Sequence, residues 1–278
     1  MRMRLPVPPY FDYLIEGFQR GKAGRFVHLG HWDTPAALDA EPQPGEFERA
    51  QMRLTQVLLD MAHLQAGQSV LDVGCGFGGT FDLINRQLGN MDLAGVNIDP
   101  RQLDICRSIK PLNDNRLRWE LADACRLPFA DASFDRVLCI EAMFHFASRR
   151  TFFAEAARVL KPGGAMVASD IVVTESAKAL DAPGFCIEAP IREGFGPWPD
   201  FWGADADHRS LGAAQGLKII ALQDATASTL RSHRFTVPSS LDERHDPGDA
   251  ASRAALMLRW LHRNAHMQYL YMRFDKPA

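Results

Sequence analysis

Asp72 stands two residues before Gly74, and Gly74, Gly76 and Gly79 follow the spacing G-x-G-x-x-G directly after the apolar residues Val70, Leu71 and Val73. Glycines so spaced let the backbone turn sharply and approach a ligand where a Cβ would intervene. The stretch therefore predicts a small polar ligand at a strand-to-helix turn. The same spacing fits a dinucleotide-binding turn. A carboxylate at position 72, however, faces the incoming ligand and repels a pyrophosphate, whereas it attracts a ligand carrying ammonium and sulfonium charges. Asp72 could also serve only as a strand-end acceptor for turn amides.

The elements that must hold this turn are legible on either side of it. Leu54, Val57, Leu58, Met61 and Leu64 follow a helical period over residues 46–65, and Gly67 ends that helix before the strand. Phe81, Ile84 and Leu88 mark the helix after the turn, and a second strand covers residues 91–98. Asp99 then caps a helix with Pro100 at its first position, closed by Pro111. Strands over residues 117–121, 134–140 and 165–172, with a helix over 151–160, continue the alternation, which predicts a mostly parallel sheet with helices on both faces. Residues 217–222 read as a further strand, 250–263 as an amphipathic helix and 267–274 as a closing aromatic strand.

Two stretches break the pattern. Residues 1–45 are punctuated by Pro6, Pro8, Pro9, Pro35, Pro42 and Pro44 and carry Tyr10, Phe11, Tyr13, Phe18, His28, His31 and Trp32. They read as a helical arm or lid, or as a loosely packed extension. Residues 176–212 hold Pro183, Pro190, Pro197 and Pro199 with Phe185, Phe195, Trp198, Phe201 and Trp202, and read as a cap over the binding edge or as a surface loop packed on the core. The organisation expected is one domain: arm 1–45, core 46–175, cap 176–212 and closing elements 213–278.

The chain of 278 residues suffices for one α/β core with insertions, and a net charge of −3 with 23% charged residues gives no general attraction to nucleic acid. Cys75, Cys106, Cys125, Cys139 and Cys186 are odd in number, widely spaced and without a C-x-x-C pair, so neither a disulfide framework nor a zinc site is expected. No His/Asp/Glu cluster has ligand-like spacing, so no metal is expected either. The basic start is interrupted by Pro6, Pro8, Pro9, Asp12 and Glu16 before an apolar core can form, and no run of about 18 apolar residues exists. The expectation is a cytoplasmic protein without a membrane span, with room for a homo-oligomer.

Three motifs in order carry a resemblance. They are residues 70–80; Leu121, Ala122, Asp123 and Ala124 leading to Leu127, Pro128, Phe129, Asp131, Ser133, Phe134 and Asp135; and Leu160, Lys161, Pro162, Gly163 and Gly164. Together they resemble the class I S-adenosylmethionine-dependent methyltransferases, in the small-molecule branch that includes ubiquinone, tocopherol, sterol and natural-product sugar enzymes. The resemblance is strong over about residues 55–175. It implies a doubly wound, Rossmann-like α/β fold with a seven-stranded sheet, the last strand antiparallel, and S-adenosyl-L-methionine across the carboxyl ends of the first four strands. Carried over, Gly74 and Gly76 approach the methionine portion, Asp72 holds its ammonium, Asp123 beside Ala124 accepts from the adenine amino group, and Glu141 lines the methionine end. One departure stands out. Many relatives place an acidic residue at position 97 to grip the ribose, where this chain has Asn97, followed by Ile98 and Asp99. An amide oxygen accepts more weakly than a carboxylate. Asn97 is the expected ribose contact, with Asp99 as the rival, and Gln102 also reaches the ribose.

Transfer to a hydroxyl gains from a base. His145 follows Glu141 after the fourth strand, and sugar O-methyltransferases of this branch carry a similar Glu-x-x-x-His with the histidine as base. Asp170, at the end of the fifth strand, matches an aspartate they also use, to orient His145 or to hold an acceptor hydroxyl. His28, His31 and His208 are rival bases. The aromatic arm and cap point to an apolar or planar acceptor, with Tyr13, Trp32, Phe144, Trp198 and Trp202 as pocket residues. The reading is O-methylation of a small acceptor in secondary metabolism, such as antibiotic biosynthesis. Carbon or nitrogen methylation of a prenyl or heterocyclic acceptor, a nicotinamide oxidoreductase and a non-catalytic S-adenosylmethionine-binding module are the alternatives.

Overall fold

A computed structural model describes residues 7–33, 41–182, 184–203, 207–236 and 249–278. The basic N-terminal residues and Pro6, Pro35 and Pro183, together with parts of the arm, the cap and the segment before the last helix, lie outside the described residues. Helix α1 (Phe11–Gln19) opens the chain, followed by α2 (Glu46–Ala62), β1 (Ser69–Val73), α3 (Gly79–Gln87), β2 (Asp92–Asn97), α4 (Pro100–Cys106) and β3 (Arg116–Leu121). Then come β4 (Phe134–Ile140), α5 (Arg149–Val159), β5 (Leu160–Val173) and the short cap helices α6 (Glu175–Lys178), α7 (Glu188–Phe195) and α8 (His208–Ala213). β6 (Lys218–Asp224), α9 (Thr226–Thr229), α10 (His233–Thr236), α11 (Ala250–Arg263) and β7 (Met267–Asp275) complete it.

The strands form one sheet in the order β3-β2-β1-β4-β5-β7-β6, with β7 antiparallel to both its neighbours. The chain winds outward from β1 to β3 and then jumps back to β4. The switch of direction lies between β1 and β4, and the crevice at their carboxyl ends is where such sheets bind ligands.

Strand periodicity assigns each residue a face. Val70, Leu93, Leu138, Val167 and Ile171 face one core layer, with Leu54 and Leu58 of α2 and Leu258 and Leu261 of α11. Leu71, Val73, Val96, Cys139 and Met166 face the other, with Phe152 and Phe153 of α5. Burying each of these large side chains stabilises the fold by roughly 1.5–3 kcal/mol. Side chains also tie helix ends to the sheet: the Arg136 and Arg273 guanidiniums donate to the carbonyls of Ala62 and Met61, each at 2.7 Å, at the C-terminal end of α2.

The expected elements recur with shifted ends. The helix after Asp99 stops at Cys106 rather than at Pro111, but Asp99 caps it as expected, accepting from the Arg101 amide at 2.9 Å. The expected helical arm forms α1, and its Leu29 is buried in the main core. In the cap, Trp198 and Phe201 are buried with that same core. Their large apolar surface is better hidden than solvated.

Candidate active site

The turn after β1 is shaped by what it excludes. Gly74 sits at φ +80°, and a Cβ there would lie 2.4 Å from the Ala142 Cβ. Gly76 sits at φ +52°, and its Cβ would lie 2.4 Å from a Val27 methyl. Only glycine adopts this backbone without strain or collision. At the base of the turn Asp72 is 1% exposed, its Oδ2 has no hydrogen-bond partner, and burial pushes its carboxyl up to about 7. Burying a carboxylate oxygen without a partner is costly, and a cationic ligand relieves that cost.

Next to the turn lies a cavity of about 270 Å³ lined by Gly74, Gly76, Asn97, Ile98, Gln102, Asp123, Ala124, Glu141 and His145. Asp123 uses one oxygen to accept from the Cys125 amide at 2.8 Å. Asn97 donates to the Gln102 Oε1 at 3.0 Å and accepts from the Asp99 amide at 3.0 Å. The Gln102 Nε2 is buried without a partner. Asp99 itself is taken up by its capping bond and by the Arg101 guanidinium, with contacts of 2.7–3.1 Å, and does not line the cavity. Of the two ribose candidates, the cavity therefore exposes Asn97. The orphaned Asp72 oxygen, the orphaned Gln102 amide and the glycine cradle fit a ligand with an ammonium at one end and hydroxyls further along.

A second, larger cavity of about 570 Å³ has a mainly apolar wall that includes Phe26, Phe47, Phe144, Phe195, Phe235 and Leu258. Tyr10, Leu14, Val27 and Glu141 line both cavities. Glu141 owes this place to its backbone: it turns left-handed (φ 50°) as β4 ends, a conformation uncommon for a non-glycine residue. Its Oε2 accepts from the Tyr269 hydroxyl at 2.6 Å and the Leu29 amide at 2.9 Å. Burial outweighs these bonds and pushes its carboxyl up to about 7.

His145 ends the short 3₁₀ turn Met143–His145. Its Nε2 is 2.8 Å from the Tyr10 hydroxyl, and burial pushes its pKa down to about 3, so the ring is neutral. Asp170 does not orient it, which corrects the sequence expectation. On β5, Asp170 points to the face covered by α5 and α8. It there accepts from Arg149 Nε at 2.7 Å, from the Ile171 amide at 2.9 Å and from His208 Nε2 at 2.8 Å, and lines neither cavity. Burial pushes its carboxyl up, but the Arg149 charge and the His208 bond together hold it below the ordinary carboxylate range. His208 is thereby also withdrawn as a base. His28 is held between the Leu29 carbonyl and Thr55, with its pKa pushed down to about 4 by burial, and His31 faces the Tyr271 hydroxyl.

Of the pocket aromatics expected from sequence, Phe144 lines the larger cavity and four do not. Tyr13 is 54% exposed and lines neither cavity. Trp32 donates to Ser232 Oγ at 3.1 Å and borders a separate surface cleft with Arg49 and Arg53. Trp198 is fully buried and stacks on Phe144 with ring centroids 4.4 Å apart. Trp202 packs edge-on against Phe201, with Lys178 over its ring. Composition placed aromatics in the right segments, but which ring reaches a cavity is settled by helix phase and packing depth. Tyr10 was visible only as one of eight aromatic or histidine residues in the arm; Val27 and His233 carry no local sequence mark at all.

Among the described residues no group of three or more His, Cys, Asp or Glu could hold a metal, and no helix is long and apolar enough to cross a membrane. Residues 71–168 match the family described as a methyltransferase domain. The chain is 38% identical over 172 residues to the methyltransferase GfsG of Streptomyces halstedii, covering 60% of this chain and 59% of that protein. It is 31% identical over 206 residues to the O-methyltransferase cnsE of Penicillium expansum, covering 72% of this chain and 68% of the other. It thus spans only about six-tenths of GfsG. The solved geranyl diphosphate C-methyltransferase of Streptomyces coelicolor A3(2) superposes with a TM-score of 0.66 at 19% identity, over 98% of this chain and 100% of that one, a likeness of fold.

Proposed function

This chain belongs to the class I S-adenosylmethionine-dependent methyltransferase family, and from that premise we propose that it methylates a hydroxyl oxygen of a small, largely apolar acceptor in the cytoplasm. The observation that carries this reading is the pair of cavities with a shared wall of Tyr10, Leu14, Val27 and Glu141. In it the smaller cavity takes the cofactor and the larger one the acceptor. The arm and the cap select the acceptor, through α1 and Phe195. The relative cnsE is named an O-methyltransferase and supports oxygen as the target.

When bound, S-adenosyl-L-methionine supplies an electrophilic methyl group. Asp72 holds the ammonium end, where its ionised form is stabilised by the opposite charge. Gly74 and Gly76 admit the methionine backbone, Asn97 and Gln102 meet the ribose hydroxyls, and Asp123 with Ala124 and Ile98 seats the adenine. Glu141 closes the methionine end. Holding the two reactants across one wall can supply roughly 7–11 kcal/mol through positioning alone.

His145 takes up the acceptor's proton. Because Tyr10 and not His145 lines the acceptor cavity, the proton passes through the tyrosine hydroxyl: the acceptor O–H donates to the Tyr10 oxygen while Tyr10 donates to His145 Nε2. Glu141 supports a second reading as base, since it lines both cavities with a pKa pushed up to about 7. His145→Ala and Tyr10→Phe are expected each to lower turnover about 10²–10⁴-fold with little change in cofactor affinity. If Glu141→Gln alone does so, Glu141 is the base.

The test of the reaction is incubation with methyl-labelled S-adenosylmethionine and a panel of hydroxylated apolar compounds, followed by NMR of the product. The label is expected as a methoxy carbon; a label on carbon or nitrogen overturns O-methylation, and absence of cofactor binding by calorimetry overturns the reading as a whole.

A further inference from the structure

The wall of the larger cavity includes one member of a buried histidine pair that the reaction above does not use. His233, at the start of α10, lines the larger cavity and not the smaller one, and is 3% exposed. Its Nε2 lies 2.8 Å from Nδ1 of His262, and His262 Nε2 lies 2.8 Å from the carbonyl oxygen of Thr226. The protons in this chain are determined by its last member. A carbonyl can only accept, so His262 carries its proton on Nε2. Burial pushes both imidazoles below the ordinary histidine range, His233 furthest, so both are neutral. His262 Nδ1 is then a lone pair, His233 Nε2 must donate to it, and His233 Nδ1 is left as a lone pair.

No hydrogen bond from the described residues reaches that nitrogen. His233 lines the cavity, so a lone pair held in place with no donor from the described residues is a ready acceptor for a ligand hydroxyl. Three other polar groups of this wall are already engaged: Glu141 by Tyr269 and Leu29, His28 by Leu29 and Thr55, and Gln51 by the carbonyls of Phe26 and His28.

We propose that His233, its tautomer locked through His262 to the Thr226 carbonyl, accepts a hydrogen bond from a second hydroxyl of the acceptor, so that the enzyme selects apolar ring compounds bearing at least two hydroxyls. One hydroxyl reacts at the shared wall beside Tyr10 and Glu141; the other is a handle that sets which of them reacts. His233 is a positioning residue and moves no proton. The inference rests on the larger cavity being the acceptor site.

The test uses the full chain loaded with S-adenosylhomocysteine and two probes, 1,5-dihydroxynaphthalene and 1,5-dimethoxynaphthalene, which differ in hydroxyl donors. Long-range ¹H–¹⁵N spectra are expected to show the Nε2–H tautomer for both His233 and His262, with His233 Nδ1 shifting on addition of the diol and not of the diether. Calorimetry should show the diol bound about fivefold or more tightly than the diether, a preference that falls to less than about twofold in His233→Phe. An Nδ1–H tautomer at His233, a diol that fails to bind or leaves the Nδ1 resonance in place, or a preference that survives His233→Phe overturns the proposal. The spectra are taken on the unsubstituted protein, so the outcome does not depend on the variant folding. Failure of S-adenosylhomocysteine to bind strikes the methyl-transfer reading instead, a separate result.

Discussion

Two buried aspartates, Asp72 in β1 and Asp170 in β5, stand toward the carboxyl ends of parallel strands and differ in everything else. Asp170 is saturated: Arg149, His208 and the Ile171 amide surround it, and its carboxyl is held low. Asp72 has an orphaned oxygen, and its carboxyl is pushed up to about 7. Both read from sequence as site residues. The difference teaches that burial alone does not mark function. A carboxylate whose bonds are complete holds the fold together; one whose bonds are incomplete is free to meet a ligand.

Replacing each aspartate should separate the two roles. Asp170→Ala leaves Arg149, 1% exposed, without its partner, and is expected to cost about 3–5 kcal/mol of stability in a denaturant titration. A loss below about 1 kcal/mol would break the comparison. The pH dependence of stability tests the other side. Asp72 titrates near 7 when folded and near 4 when unfolded, so between these values the folded protein holds a proton that the unfolded chain releases. Stability of the ligand-free protein should therefore fall as pH rises from about 4 to about 7, by roughly 4 kcal/mol at most from Asp72, with Glu141 adding a fall of the same sign. Asp72→Asn should remove its share of that slope, and saturating S-adenosylhomocysteine should flatten it, because the bound ammonium keeps Asp72 ionised; a slope unchanged by both refutes the orphaned carboxylate.

Cofactor affinity sharpens the contrast further. Asp72→Asn is expected to weaken S-adenosylhomocysteine binding by roughly 1.5–3 kcal/mol in calorimetry, about ten- to a hundredfold, without loss of stability at pH 7. Affinity of the unsubstituted protein should rise with pH through about 7, as Asp72 ionises. The smallest effect belongs to the orphaned amide: Gln102→Ala should weaken the same binding by about 0.5–1.5 kcal/mol, and no change would show that its Nε2 meets no ligand.

Much of the fold was legible because its causes are local. The glycine turn, the Asp99 cap and the strand alternation each depend on residues a few positions apart, and each recurs where expected. The lining of the smaller cavity was legible for the same reason: Gly74, Gly76, Asn97, Gln102, Asp123 and Glu141 follow strand ends whose places in the sheet are dictated by order along the chain. The lining of the larger cavity was not. Its wall gathers Tyr10, Val27, Phe144, Phe195, His233 and Leu258, which lie up to most of the chain length apart and share no spacing. Asp170 was misjudged because strand parity, not strand-end position, sent its side chain to the face where Arg149 and His208 wait.

By itself the sequence determined a tight turn that carries a buried carboxylate beside it, because one aspartate and three glycines within eight residues follow an apolar strand. Only the tertiary structure decided which buried carboxylate stays free, which tyrosine reaches the histidine, and which nitrogen of His233 is left without a proton. Each of these depends on a partner brought from a distant part of the chain, and hydrogen-bond completion is a property of neighbours in space.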